Sequence, residues 1–269
     1  MGAALRTEYR KLVTTRLWWI LLLAMVGYMG FLSAIMAWAV TQGADMTGGA
    51  GGDAPPLGPD AVVRAVYTIS VTFGYVFPLV VGALSVASEF RHQTITPTLL
   101  AEPRRDVVVG AKLVAGAAVG LLFGLAGTAA AAGVGAGVLA LLGEPTFLDV
   151  GSTWGTLALS TVALALWAVV GVGFGALLPN QVAVVVVVLA FTQFVEPVLR
   201  FVLVLTSWGG DVAKFLPGAA GEAVSGGSFY SESGLGELLE PWQGALVLLG
   251  YAVAFAVVGR LTTFRRDIT

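Results

Sequence analysis

The chain has 269 residues, 57% hydrophobic and only 11% charged, with a mean hydropathy of +0.90. Soluble domains carry about a quarter charged residues, so a soluble globular fold and a disordered chain are both excluded, and a polytopic membrane protein remains. There is no cysteine and one histidine, His92, which removes disulfides, thiolate metal sites and any motif that needs two imidazoles; no metal site is expected.

Taken in chain order, residues 1–16 come first. Leu5, Tyr9, Leu12 and Val13 fall on one helical stripe, with Arg6, Arg10 and Thr14 opposite. Two uses fit this pattern. One is an amphipathic helix in the inner-leaflet interface, with Arg6, Tyr9, Arg10 and Lys11 at headgroup level; the other is a basic flank that sets topology. A bilayer core about 30 Å thick needs ~20 apolar residues in a helix. Six runs qualify: 17–40, 66–87, 113–142, 154–178, 182–206 and 243–259. The first exceeds the ~7–15 residues of a signal-peptide core, so it is expected to be retained as a span. Residues 41–65, with Gly48-Gly49-Ala50-Gly51-Gly52 and Pro55-Pro56, compose a flexible connector.

The segment 88–112 is charged and structured in pattern. Thr96 before Pro97 fits a helix start and Pro103 a stop, so a short helix is expected between them. It presents Leu99 and Leu100 outside any span. Such a helix is either a docking knob for a soluble partner or a loop packed on its own chain. In the third span Gly116, Gly120 and Gly124 recur every four residues, as do Gly171 and Gly175 in the fourth. Small residues at this spacing let helices approach closely, within one chain or across a dimer seam. Pro179-Asn180-Gln181 is a tight turn.

The fifth run alone contains charges. Glu196 and Arg200 are four apart and suited to pair, while Pro197 deprives the Gln193 carbonyl of its usual donor. Gln193, Glu196 and Arg200 thus form a polar patch, with Glu196 about 21 Å into the run at 1.5 Å per residue. Ionisable groups at this depth mark gating or solute passage, or a structural pair. Residues 207–241 are too long for a plain connector. Half-apolar Lys214–Val224 fits a short helix dipping into the outer leaflet, as against an unstructured outer loop.

Orientation follows from charge. The N-terminal segment, the 88–112 loop and the C-terminal end hold eleven of the 14 basic residues with five acids, a net of +6. The opposite connectors hold Arg64 and Lys214 against ten acids, a net of −8. The positive-inside rule then places both termini and the 88–112 loop in the cytoplasm. None of the three lysines sits in a G-K-[ST] context, and no G-x-S-x-G elbow exists. An enzyme is therefore not expected.

The arrangement resembles the ABC-2 type permeases, the membrane-spanning subunits of bacterial ATP-binding-cassette exporters. The resemblance lies in Glu8-Tyr9-Arg10-Lys11 with Thr14-Thr15-Arg16-Leu17-Trp18-Trp19, and most specifically in Ala87-Ser88-Glu89-Phe90-Arg91-His92 through Thr94-Ile95-Thr96-Pro97-Thr98-Leu99-Leu100, Pro103-Arg104-Arg105 and Ala111-Lys112. Val195-Glu196-Pro197 and Phe215-Leu216-Pro217 add weaker matches. It implies a single all-α integral membrane domain over 1–269. This domain would have six transmembrane helices, an N-terminal interfacial helix, a cytoplasmic coupling helix between spans two and three, and short re-entrant helices between spans five and six. It also implies a second permease copy or a related permease, and two separate ATPase subunits that carry ATP and Mg, with no cofactor on this chain and no nucleic acid. The docking residues would be Glu89, Phe90, Arg91, His92, Thr94, Ile95, Thr98, Leu99, Leu100, Glu102, Arg104 and Arg105. The expected setting is the bacterial cytoplasmic membrane, and an amphipathic or lipid-like solute suits the composition. A stand-alone carrier or channel is the alternative, as is a related subunit that transmits force or confers immunity without moving solute.

Overall fold

The computed structural model describes residues 2–46, 58–206, 208–232 and 237–263. Among these the secondary structure is entirely helical, in the order α1 Gly2–Thr14, α2 Leu17–Met46, α3 Pro59–Tyr67, α4 Ile69–Thr72, α5 Val76–Arg91, α6 Ile95–Ala101, α7 Arg105–Leu141, α8 Gly151–Leu177 and α9 Gln181–Ala190. A π-helical turn, Phe191–Val195, leads into α10 Glu196–Val204, and then follow α11 Gly209–Ala213, α12 Pro217–Val224, α13 Phe229–Glu232 and α14 Pro241–Thr262. Among the described residues five helical stretches are long and apolar enough to cross a membrane: Leu17–Gln42, Arg105–Leu141, Gly151–Leu177, Gln181–Val204 and Pro241–Thr262. The chain is a multi-pass membrane protein. The glycine- and proline-rich 47–57 stretch, Arg265 and Arg266 lie outside the described residues.

The helix boundaries have local causes. Asn180 caps α9 by accepting from the Val182 and Ala183 amides at 3.0 and 3.1 Å. Glu240 and Gln243 close a capping box at the start of α14, with Pro241 in its first turn. The helix α7 begins eight residues before the expected third span, because no breaker follows Pro103 and Asp106 in the first turn suits the helix dipole. This extension brings Lys112 inside the helix.

The expected continuous span over 66–87 is interrupted. Thr68 separates α3 from α4, and residues 73–75 separate α4 from α5. Pro78 lacks an amide, and its ring crowds the carbonyl four residues back, which is that of Gly74. Thr68 and Thr72 turn their hydroxyls to the carbonyls of Arg64 and Thr68, and Ser70 meets the Thr128 hydroxyl at 3.4 Å. The interruption is thus buried with polar partners, as a break at such depth requires.

At the centre stands α8, packed against α5, α7 and α14. The glycines expected to allow close approach do so within this chain. A Cβ on Gly171 would lie 2.1 Å from the Leu79 carbonyl oxygen, and one on Gly120 would lie 2.7 Å from the Ala165 Cα. Backbone thus meets backbone along both seams, a contact that any side chain would hold apart. Around it a core of Leu79, Phe123, Leu164, Trp167 and Leu248 is buried.

Contacts between connectors identify two ends. At one end Arg91 donates to the Gln181 side chain at 3.0 Å, Arg260 pairs with Asp106, and the Thr263 hydroxyl donates to the Leu177 carbonyl. At the other, the Tyr67 hydroxyl donates to the Thr146 carbonyl and Arg64 pairs with Glu232 at 3.1 Å. The described basic connectors gather at the first end.

Candidate functional site

The basic end is organised by a buried ion cluster. Glu8 on α1, Glu89 on α5 and Lys112 on α7 converge although they are far apart in sequence. Lys112, its side chain 1% exposed, donates to Glu89 at 2.5 Å and to Glu8 at 3.0 Å. Lys11 donates to Glu89 at 2.7 Å, to Glu8 at 3.1 Å and to the Thr98 hydroxyl at 3.1 Å. Four elements (α1, α5, α6 and α7) are thereby tied together. Burial disfavours the Lys11 ammonium, but its bonds to Glu89 and Glu8 outweigh this, and its pKa rises above the ordinary 10.5. Lys11 therefore belongs to the cluster. Glu8 faces inward, whereas Tyr9, expected on the apolar stripe, is exposed beside Arg6 and Arg10. The side chains of Leu12 and Val13 lie outside the described residues.

The expected short helix exists as α6, but it starts two residues early. Its N-cap is Thr94 instead of Thr96. The preceding turn explains this. Gln93 adopts a left-handed φ of 55°, its amide donates to the Phe90 carbonyl, and the Thr94 amide donates to the Glu89 carbonyl at 2.9 Å. This is a Schellman closure of α5, and it aims the chain directly into α6. Pro97 then occupies the third helical position, where its missing amide costs nothing.

The residues expected to dock a partner divide by burial. Ile95 is 1% exposed and packs with Val86, Val172 and Ala176, with Phe90 and Leu99 against that cluster. Glu89 belongs to the ion cluster. These two face the chain's own interior. Arg91, His92, Thr94, Leu100 and Arg104 are exposed, and Leu100 is 78% so. Thr98, Glu102 and Arg105 are half-buried. Arg104 bonds Glu102 at 2.9 Å and holds its carboxyl below the usual carboxylate range. A small surface with one protruding leucine and a basic rim results, mounted on the ion cluster.

The far half of the bundle holds a cavity of about 470 Å³. Two backbone irregularities frame it. Thr72, Phe73 and Tyr75 come from the break between α4 and α5, and Thr192 and Gln193 from the π turn. The π turn has the cause expected from the sequence, since Pro197 cannot donate to Gln193 and the helix widens by one residue before it. Gln193 itself is exposed and bonds the Thr192 hydroxyl at 3.4 Å.

Glu196 and Arg200 pair as expected, and they have a third member, Glu222 of α12. Arg200 donates to Glu196 at 3.0 Å and to Glu222 at 2.9 Å. The Arg200 side chain is only 16% exposed. The Gly218 and Ala219 amides at the N-terminus of α12 also donate to Glu196, at 2.6 and 3.3 Å. A carboxylate at a helix N-terminus is favourably placed. The Ser228 hydroxyl donates to Glu222 at 2.6 Å, and Arg200 lies over the Tyr230 ring, 5.7 Å from its centre. All four donors to Glu196 converge on Oε1. Oε2 is buried and has no hydrogen-bond partner among the described residues.

Glu222 was legible only as an acid in an outer connector. The signal that marks it is its segment, Pro217–Val224, which is buried along its whole length. Among the described residues no group of His, Asp and Glu is placed to hold a metal ion. Compared with known proteins, the chain matches no family model and no curated protein.

Proposed function

We propose that the chain is the membrane-spanning permease subunit of an ATP-driven exporter of the ABC-2 type. In this reading α3, α4 and α5 together supply a sixth, interrupted crossing, and both termini face the cytoplasm of a bacterial cell. ATP is hydrolysed on two separate ATPase subunits, and a second permease copy or a related permease completes the pathway. The short helices α11, α12 and α13 roof it on the outer side.

The observation that carries this reading is the coupling of α6 to three other elements at the basic end. Lys11 joins Glu8, Glu89 and Thr98, and Lys112 joins Glu8 and Glu89. A partner that displaces Leu100 and the Arg91–Arg104 rim therefore moves α1, α5 and α7 with α6. The helix α5 continues upward to the interrupted segment at the outer cavity. Nucleotide binding must favour one arrangement of this assembly over the other for any movement to occur.

The test is association. The tagged chain is purified from its own membranes and should bring down a Walker A-containing subunit with ATP-hydrolysing activity. Leu100→Asp buries a charge at the contact and should abolish the association while leaving the thermal stability of the isolated chain unchanged. Retained association with the Leu100→Asp chain refutes the docking assignment. One observation favours a second reading, an ion-coupled carrier without an ATPase: two buried carboxylates, Glu196 and Glu222, beside interrupted helices. Solute movement by the purified chain alone would support that carrier and overturn the permease.

A further inference from the structure

The outer cavity has a chemical preference written into its walls. Glu196, Arg200 and Glu222 all line it. In their ordinary charged states they carry a net −1, because one guanidinium serves two carboxylates. Arg200 already gives three hydrogen bonds to these acids and lies over the Tyr230 ring, and their two charges outweigh its one toward an anion. Glu196 is 2% exposed, and its Oε2 has no hydrogen-bond partner among the described residues. An acceptor so placed in a low-dielectric wall is costly to leave unmatched. The remaining lining is mostly aromatic and aliphatic, Phe73, Tyr75 and Phe201 included, with Thr72, Thr192 and Gln193 as its neutral polar members. Aromatic faces add attraction for cations and none for anions.

We infer that this cavity binds an amphipathic monocation, a protonated amine on an apolar body, held by the net negative charge of Glu196 and Glu222 about Arg200. Its volume of about 470 Å³ falls in the range of small-molecule sites, about 300–1,000 Å³. The apolar body lies against Phe201 and Leu205, which are the most exposed large apolar residues of the wall. As a binding site the cavity stands on its own geometry. Identification of the occupant as the exported solute rests on the permease reading.

Three planar three-ring probes of similar size separate charge from shape: 9-aminoacridine is a cation at neutral pH, acridine is neutral and 9-anthroate is an anion. Binding to the full chain in nonionic detergent is followed by fluorescence, with empty micelles as the blank. The cation should bind about tenfold or more tighter than either companion, the advantage of a charge-assisted hydrogen bond over a neutral one. Glu196→Gln keeps the Oε1 acceptor and removes the charge, so it should erase that preference. Phe201→Ala, on the exposed wall, should weaken all binding several-fold. Equal affinity for cation and neutral probe in the unaltered chain overturns the inference, and this comparison needs no variant to fold. Undiminished cation binding by Phe201→Ala also overturns it. A chain that selects the cation yet recruits no ATPase keeps this inference and sinks the permease; recruitment without selection does the reverse.

Discussion

At Lys112 a single ammonium satisfies carboxylates from two other helices, and its side chain is sealed from solvent. Truncation at this position leaves Glu8 and Glu89 buried with only the half-exposed Lys11 between them. Removing one partner of a buried ion pair costs about 3–5 kcal/mol. Lys112→Ala is therefore expected to lower thermal stability by that order, and to loosen α1 so that protease cuts near residue 14 faster. The double change Glu8→Gln with Lys112→Met should recover part of the loss, since it removes charges from both sides. An additive double variant would show that the two residues do not interact. This cluster could not be read from the sequence. Glu8 and Lys112 are separated by 104 positions, and each sits in a segment whose charge is fully explained by topology. The Glu196–Arg200 pair was legible because both partners occupy one helix turn. Glu222 was not, because it arrives from a different segment 22 residues beyond Arg200.

Among the helices, glycine does the positioning. On α8, Gly171 is pressed against the Leu79 carbonyl, whereas Gly155, on the same helix, has nothing within 4 Å of a would-be Cβ. Gly171→Val should separate α5 from α8 and cost at least the ~1–3 kcal/mol typical of overpacking. Gly155→Val should be near neutral. Both are measured as midpoints of thermal unfolding in one detergent, and equal effects would mean that helix propensity governs instead of the seam. The four-residue glycine rhythm was visible in the sequence because it is local. Interruption of the 66–87 run was hidden by its apolar composition, which is the same for a straight helix and a broken one. Pro78 was the available mark. The start of α6 was misplaced by two residues for a similar reason. A left-handed Gln93 is an uncommon conformation for a residue with a side chain, so the cap that sets the helix start has no ready signature.

For the whole molecule, charge asymmetry and contact geometry agree. The described basic connectors meet at one end, and the Arg64–Glu232 and Tyr67–Thr146 contacts mark the other. The chain has no cysteine, so single cysteines report topology without background. Cysteine at Gln93 should react with an impermeant maleimide only after the membrane is breached, and cysteine at Glu144 should react in intact cells. Labelling of both from the same side would refute the proposed orientation. That the described basic segments share one end was legible because it depends on sums over segments. Pairing of those segments depends on individual side chains meeting in space and became visible only in the fold.

The widened turn ahead of Pro197 has a further consequence for inheritance of the chain. Five successive valines, 184–188, precede it, and a uniform run buries equally well whichever way its cylinder is rotated about its long axis. Rotation is set downstream, where Glu196 and Arg200 must meet the α12 amides and Glu222. The polar triad thus acts as an index pin for an otherwise featureless rod. Exchange of one valine for isoleucine should pass unnoticed there. Insertion or loss of a single codon in the same run would swing the pin away from its socket by about 100°, one residue's share of a helical turn.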